Sequence, residues 1–358
     1  MPDQHQSPAT KPPQRPSNLL FQFQKYVLGL SLLLCAAVSL CYLIRPDACA
    51  AVTIFPAWAW AAPGGFLAAI GWGYRTRRAG ILVALIWLVF LFGISDEPRG
   101  LLRFSQSLAS SAGGRQIPER AGDVRVISFN ARGDKAAVNE EVQYHPEIVL
   151  LQESPTQKHV KQLAHKLFGD DAAFIWSHDT SIIVHGTLEP VQAPTPQHLV
   201  LGRARLASGF ETIVISIRLH SPAFKTKLWT PDCWREQRAI RVKHREQMER
   251  TRALLAVLPA DQPIIMGGDF NSPAGDAIFR LIPTRLHDAF REAGIGWGDT
   301  AFNHMPVLRV DQVWISDQFS ADAVVARETV NSDHRMVVCD LLVKKPGLAG
   351  NTESRAAR

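Results

Sequence analysis

Three strongly apolar stretches without a single charge fall within the first hundred residues, at 26–44, 49–74 and 79–94. Hydrocarbon offers no partner for backbone N–H and C=O groups, so stretches of this kind have to form helices that satisfy themselves. The first has nineteen residues and makes a helix of about 28 Å at 1.5 Å per residue, close to the thickness of a bilayer core. The second is long enough to cross although Pro56, Pro63, Gly64 and Gly65 interrupt it, and membrane helices tolerate such breaks. The third is short but dense in Leu, Ile, Val and Phe. Three transmembrane helices are therefore expected over residues 26–95. A cleaved signal peptide is the competing reading of the first stretch. It lacks a clean small-residue cleavage site, and two further apolar runs follow at hairpin spacing.

Cations orient these helices. Lys11, Arg15 and Lys25 precede the first, and Arg75, Arg77 and Arg78 join the second to the third, whereas the first connection has only Arg45 beside Asp47. Loops rich in Lys and Arg stay in the cytoplasm. The amino terminus is thus expected inside a bacterial-type inner membrane, and everything beyond Ile94 on the periplasmic or extracellular side. Residues 1–117 carry ten Lys/Arg against four Asp/Glu, which leaves 29 of each for the rest. The net charge of +6 belongs to the membrane-facing part and argues against a strongly cationic nucleic-acid-binding domain. An apolar share of 46% excludes a disordered chain, and five Cys in 358 residues exclude a disulfide scaffold. Residues 1–25 read as a disordered cytoplasmic tail, 96–121 as a linker, and 346–358 as a second disordered tail.

Between 122 and 345 the pattern changes to short β-branched runs separated by turn residues. Strands are expected at 124–129, 148–151, 173–176, 181–184, 212–219, 264–266, 312–315 and 336–342. Helices are expected at 135–142, 157–167, 235–258 and 274–281. Nearly continuous apolar runs such as IVLL and VISI fit strands covered on both faces. About 220 residues suffice to bury one α/β core.

Polar residues sit where these runs end, the usual place for a site in a layered α/β domain. Asn130 closes VISFN, Glu153 follows IVLLQ, His220 closes IVISIRL, and Asp269 and Asn271 follow PIIMGG. Asp311 opens DQVWIS, and Asp333 and His334 form an SDH turn before MVV. A single Asp or Asn after a strand more often makes a turn or a cap; a full set on strand ends of one domain is a different matter. Carboxylates and an amide without a Cys cluster or His-x-x-x-His spacing suit a hard cation, Mg2+ or Mn2+, better than zinc. Two His far apart in sequence, one beside Asp333, are suited to proton transfer near neutral pH. The combination fits phosphoryl ester hydrolysis.

The ordered set SFNAR, LLQES, LHSP, GGDFNSP, RVDQVWIS and SDH resembles the endonuclease/exonuclease/phosphatase superfamily of DNase I-like enzymes over residues 124–342. The resemblance implies a four-layer α/β sandwich, two packed mixed β-sheets flanked by helices, with a divalent cation held chiefly by Glu153. Carried over by motif, Asn130 and Asp333 lie at the metal, and His220 binds the phosphate or protonates the leaving group. Asp269 orients or deprotonates the attacking water, and Asn271 touches the phosphate. His334 is base or transition-state stabiliser, with Asp311 fixing its ring. The abasic-endonuclease branch of the superfamily has a Tyr in mid-domain, whereas here Tyr144 is the last Tyr and stands too early for that role.

The substrate is left open between nucleic acid, phospholipid headgroup and sugar phosphate, with the bilayer as the partner of the helices and no obligate protein partner evident. A catalytically silent binding or scaffold module on the same fold is the alternative, and it predicts substitutions at the metal or His positions that this sequence does not have. Residues 224–252, with nine Lys/Arg against four Asp/Glu and with Trp229 and Trp234, read either as a lid or as a solvated helix face. Cys233 and Cys339 are the two Cys of the outer domain, free to pair or to stay buried singly. Among the other His, His304 is the one placed to line a cleft.

Overall fold

The computed structural model describes residues 18–110, 122–221 and 225–344. The rest of the amino-terminal tail, the end of the linker and the carboxyl-terminal tail lie outside the described residues. Two compact units emerge, Met1–Leu40 with Trp58–Gly93, and Cys41–Ala57 with Ile94–Arg358.

In chain order the first helices are α1 (Asn18–Ile44), α2 (Ala50–Thr53), α3 (Ala57–Ile70) and α4 (Arg77–Ile94). Among the described residues, only α1 and α4 are long and apolar enough on their own to cross a membrane. The expected second span is broken between α2 and α3, so a third crossing exists only if that pair counts as one. Pro56 explains the break, since it supplies no amide donor and disfavours helical backbone at Phe55. With fourteen residues, α3 is about 21 Å long, short of a bilayer core. Residues 18–25, expected in the tail, are the first turns of α1. Within the first unit, Gly64 makes room for Trp87, whose ring would lie 2.0 Å from an added Cβ. Ser31 Oγ donates to Gly64 O at 2.8 Å and accepts from Trp87 Nε1 at 3.0 Å, which satisfies these polar groups internally.

The expected linker is in large part α5 (Glu97–Ser110). Arg309, 5% exposed, donates through Nη2 to Asp96 at 2.6 Å and to Asp288 at 2.7 Å. Arg103 donates to the carbonyls of Gly294 at 3.1 Å and Arg291 at 2.8 Å. Gly100 allows the helix to approach closely, because a Cβ there would meet Gly296 O at 2.3 Å.

The rest of this unit comprises β1 (Val124–Asn130), β2 (Ile148–Gln152), α6 (Gln157–Phe168), β3 (Ala172–Trp176), β4 (Thr180–Pro190), β5 (Leu199–Leu206), β6 (Glu211–Arg218) and α7 (Pro231–Val257). It continues through β7 (Ile264–Asp269), β8 (Leu286–Asp288), α8 (Ala289–Ala293), β9 (Asp311–Ser316), β10 (Phe319–Arg327) and β11 (Met336–Val343). The strands order as β10-β11-β1-β2-β4-β5-β6-β7-β9-β8, with β3 added to β4. Pairs β1–β2 and β6–β7 are parallel and the others antiparallel. The α/β class expected from sequence holds, with a curled mixed sheet at its centre. Strand β4 carries the curl: its first half pairs with β2 and its second with β5. Gly186 lies at the change, with φ 132° and Arg205 O only 2.2 Å from a would-be Cβ.

Alternate residues from both halves of the sheet, Val126, Ile148 and Leu150 with Val214, Ile265 and Val313, share one apolar cluster. On the opposite faces, Val160 and Leu163 of α6 cover Phe129, Val149 and Leu151, and Met248 and Leu255 of α7 cover Ile213, Ile215 and Met266. Both sides of the central strands are thus dry, as their continuous apolar runs require. The helices expected at 135–142 and 274–281 are 3-10 turns, Ala137–Tyr144 and Ala277–Leu281. The basic segment after His220 is mostly α7, with Cys233, Gln237, Arg241 and His244 buried, so a packed helix takes the place of the lid. Cys233 and Cys339 are buried and free.

Glu141 is fully buried with neither carboxylate oxygen hydrogen-bonded among the described residues. Burial, with Glu140 adding to it, pushes its pKa up to about 8. Between the ordinary carboxyl value and pH 8, the folded chain holds a proton that the unfolded chain has released. Stability is therefore full below the unfolded pKa and falls as pH rises toward 8, by about 1.4 kcal/mol per pH unit at most. Glu141→Gln should flatten the melting temperature between pH 5 and 8 and raise it at pH 8; thermal unfolding across that range checks both.

Candidate active site

Strand register assembles the polar residues. Asn130 pairs with Gln152 at the ends of parallel β1 and β2, so the next residue after β2, Glu153, stands beside Asn130. Arg218 and Asp269 end parallel β6 and β7 in register, and Asp311 lies directly opposite Asp269 across the β7–β9 pair. The two glycines before Asp269 have steric reasons. A Cβ at Gly268 would lie 1.8 Å from Ile217 O, and one at Gly267 2.6 Å from Leu150. Glu153 and Asn271 both adopt left-handed backbone, with φ 43° and 47°. That conformation costs a non-glycine residue about 1–3 kcal/mol, and it turns the chain sharply at the two strand ends.

Asp269, 1% exposed, is held by three donors. Its Oδ1 accepts from Asn271 N at 2.9 Å, and its Oδ2 accepts from Asn130 Nδ2 and Asn271 Nδ2, each at 3.0 Å. Asn130 Nδ2 also donates to Glu153 Oε1 at 3.1 Å, while its Oδ1 accepts from Arg132 N. Asn130 thus presents its amide nitrogen to both carboxylates. Asn271 spends its second amide hydrogen on Leu219 O at 3.0 Å, so its side chain is committed to fixing Asp269.

His334 Nδ1 donates to Asp311 Oδ2 at 2.8 Å. The SDH turn is tied to the end of β1: His334 N donates to Ser332 Oγ at 3.1 Å, and Ser332 Oγ donates to Asn130 O at 2.7 Å. Candidate ligand atoms of Asp269, Asp311 and His334 all lie within 4.8 Å of one another, and Asp311 Oδ1 is buried with no hydrogen-bond partner among the described residues. Burial foremost, then the Asp311 carboxylate, raises Asp269 to about 6. Burial would lower His334, but Asp311 and Asp269 outweigh it and hold the imidazole up to about 10.

A cleft of about 140 Å³ opens onto Glu153, Ser221, Asp269, Asn271, Asp333 and His334. Asn130 and Asp311 support it from the buried side. His220 is exposed; burial first, then Lys243 and Arg218, lowers its pKa below the ordinary imidazole value. Its backbone is fixed by Gln247 Oε1, which accepts from His220 N at 3.0 Å, and by His244 Nε2, which donates to His220 O at 2.6 Å. His304 is exposed and hydrogen-bonded to Glu328, and it does not line the cleft. Arg218 and Asp179 were not singled out from the sequence. Arg218 donates to Glu153 Oε1 at 2.8 Å and to Asp179 Oδ1 at 2.9 Å. The one available signal was a cation inside the apolar run IVISIRL. Glu153, Asp269 and Asp333 line the same cleft and offer the hard oxygen donors that suit a divalent cation, whereas the carboxylate and imidazole atoms that approach one another within 4.8 Å among the described residues are those of Asp269, Asp311 and His334.

The Endonuclease/Exonuclease/phosphatase family model matches residues 127–334. A humanized TDP2 from D. rerio is 19% identical with a TM-score of 0.44, covering 61% of this chain and 98% of that one. A mannosyl-6-phosphatase of Bacteroides thetaiotaomicron is 18% identical with a TM-score of 0.43, covering 61% and 99%. An endonuclease/exonuclease/phosphatase protein of Beutenbergia cavernae is 17% identical with a TM-score of 0.44, covering 63% and 72%. No curated protein sequence matches the chain.

Proposed function

We propose, from the premise that this chain belongs to the Endonuclease/Exonuclease/phosphatase family, that it is a membrane-anchored, divalent-metal-dependent hydrolase of phosphate esters. The observation that carries the reading is the convergence of Glu153, Asp269, Asn271, Asp333 and His334 from separate strand ends on one cleft. Glu153 and Asp333, with Asn130 beside them, would hold Mg2+ or Mn2+. A bound ion supplies neutralisation of the phosphoryl charge. Asp269, oriented by Asn130 and Asn271, takes the proton of the attacking water. His334 is charged at neutral pH through its pairing with Asp311, and stabilises charge on the phosphoryl oxygens. His220, exposed beside cleft-lining Ser221, is placed to bind the phosphate. The apolar helices α1 and α4 support anchoring; a catalytic unit outside the cytoplasm requires the bent α2–α3 pair to make a third crossing, which the Lys/Arg-rich flanks at the amino terminus and at Arg75–Arg78 favour.

The full chain, purified in detergent with Mg2+, should hydrolyse bis-p-nitrophenyl phosphate. Chelation with EDTA should stop the reaction, and Glu153→Ala should abolish it without lowering the melting temperature. Inactivity of the native chain toward nucleic-acid, lipid and sugar phosphates alike overturns the reading.

A further inference from the structure

Residues 41–57 belong to the same compact unit as the catalytic fold, although they are the connection between apolar helices. Arginines of the catalytic fold clamp this strap. Arg280 donates to Leu43 O at 2.9 Å, Arg245 pairs with Asp47, and Arg241 donates to Pro46 O at 3.2 Å and to Thr53 Oγ1. All four residues of α2 are buried. The strap then delivers Ile54 into the lining of the catalytic cleft, which also includes Phe302, Leu308 and Val310.

The cleft lining is thus mixed, with carboxylates and an imidazole beside aliphatic and aromatic carbon. None of the described residues that line it is Lys or Arg, so the lining itself holds no cation for the successive phosphates of a polyanionic strand. Ile54 stands three residues before Ala57, where α3 begins, and a chain of that length reaches at most about 11 Å. This apolar part of the lining is therefore close to the point where the chain re-enters its apolar segment. A second element points the same way. α5 starts three residues after the end of α4 and turns Leu101, Leu102 and Phe104 outward, each more than 40% exposed, as a helix lying on an acyl boundary does.

We infer that the substrate is a lipid phosphoester drawn from the bilayer, with the first carbons of its apolar part against Ile54 and its phosphate at Glu153, Asp269 and His334. This rests on the phosphoesterase reading above. Water oxygen bonds to phosphorus, the bond from phosphorus to the ester oxygen breaks, and that oxygen leaves as an alcohol carrying one proton.

The test uses the full chain in nanodiscs with Mg2+ and three probes: long-chain phosphatidic acid and phosphatidylglycerol in the disc, soluble bis-p-nitrophenyl phosphate, and a single-stranded oligonucleotide. Lipid should be hydrolysed with kcat/KM at least tenfold above either soluble probe. Ile54→Asp should lower the ratio of lipid to small-ester kcat/KM at least tenfold, and Ile54→Ser should lower it less. Ile54 is only partly buried, and a retained melting temperature establishes that each variant folds. Preference for the oligonucleotide or the small ester, or an equal fall on both substrates in Ile54→Asp, overturns the lipid assignment alone. Inactivity of the native chain on all three probes overturns the phosphoesterase reading and this one together.

Discussion

His334→Ala is expected to cut kcat/KM for a phosphate ester about a thousandfold, and Asp311→Asn about a hundredfold, in the range found for removing positioned acid–base groups. The two act as one device, with Asp311 holding the imidazole at 2.8 Å and keeping it charged. The double variant should accordingly be little worse than His334→Ala, the non-additivity expected of residues that work as a unit. The pair also leaves a trace in stability. His334 is raised to about 10, so its contribution is full below the unfolded His pKa and disappears as pH climbs through about 10. The gap in melting temperature between the native chain and Asp311→Asn should therefore narrow as pH rises from about 6.5 to about 10. A gap constant from pH 6 to 11 would show that Asp311 does not govern the charge of the ring.

Arg241→Ala should cost about 3–5 kcal/mol, the loss seen when one partner of a buried ion pair is removed. Arg241 and Asp276 are each 5% exposed and lie 2.7 Å apart, and the same guanidinium reaches Pro46 and Thr53. Its removal leaves a buried carboxylate without its counter-charge and loosens the strap. Chemical denaturation of the purified chain reads the loss. Arg241→Met combined with Asp276→Leu should restore most of it, because two apolar groups of similar size remove the stranded charge. A double variant as unstable as the single one would place the cost in the strap contacts instead of the ion pair.

The centre of the fold was legible because its strands announce themselves. β1, β2, β6 and β7 are apolar runs that end abruptly in Asn130, Gln152 with Glu153, Arg218 with His220, and Asp269; of these, Glu153 and Asp269 line one cleft, and Asn130 and Arg218 hydrogen-bond to Glu153. Three strands were missed. β5 is broken in pattern by Gly202, Arg203 and Arg205, β8 has only three residues, and β10 is an edge strand whose Ser320 and Asp322 meet solvent. The 3-10 turns at Ala137–Tyr144 and Ala277–Leu281 carry helix-like spacing over too few residues to separate the two forms. The least legible part was the membership of 41–57 and α5 in the catalytic unit. Hydropathy reads 41–57 as the ends of two membrane spans with a short connection and α5 as linker, and their partners, such as Arg241 for Thr53 and Arg309 for Asp96, lie roughly two hundred residues away.

That membership bears on how the protein is produced for study. Hydropathy invites a cut near residue 118 to obtain a soluble fragment. Such a fragment would lack Pro46 and Thr53 opposite Arg241, Asp96 opposite Arg309, and the Ile54 part of the cleft lining, and would bare to water the surfaces that α2 and α5 cover. Poor solubility or altered selectivity in a recombinant piece of that kind would reflect amputation of its own structure, and grafting 41–57 and 94–110 back through short soluble linkers is the direct remedy.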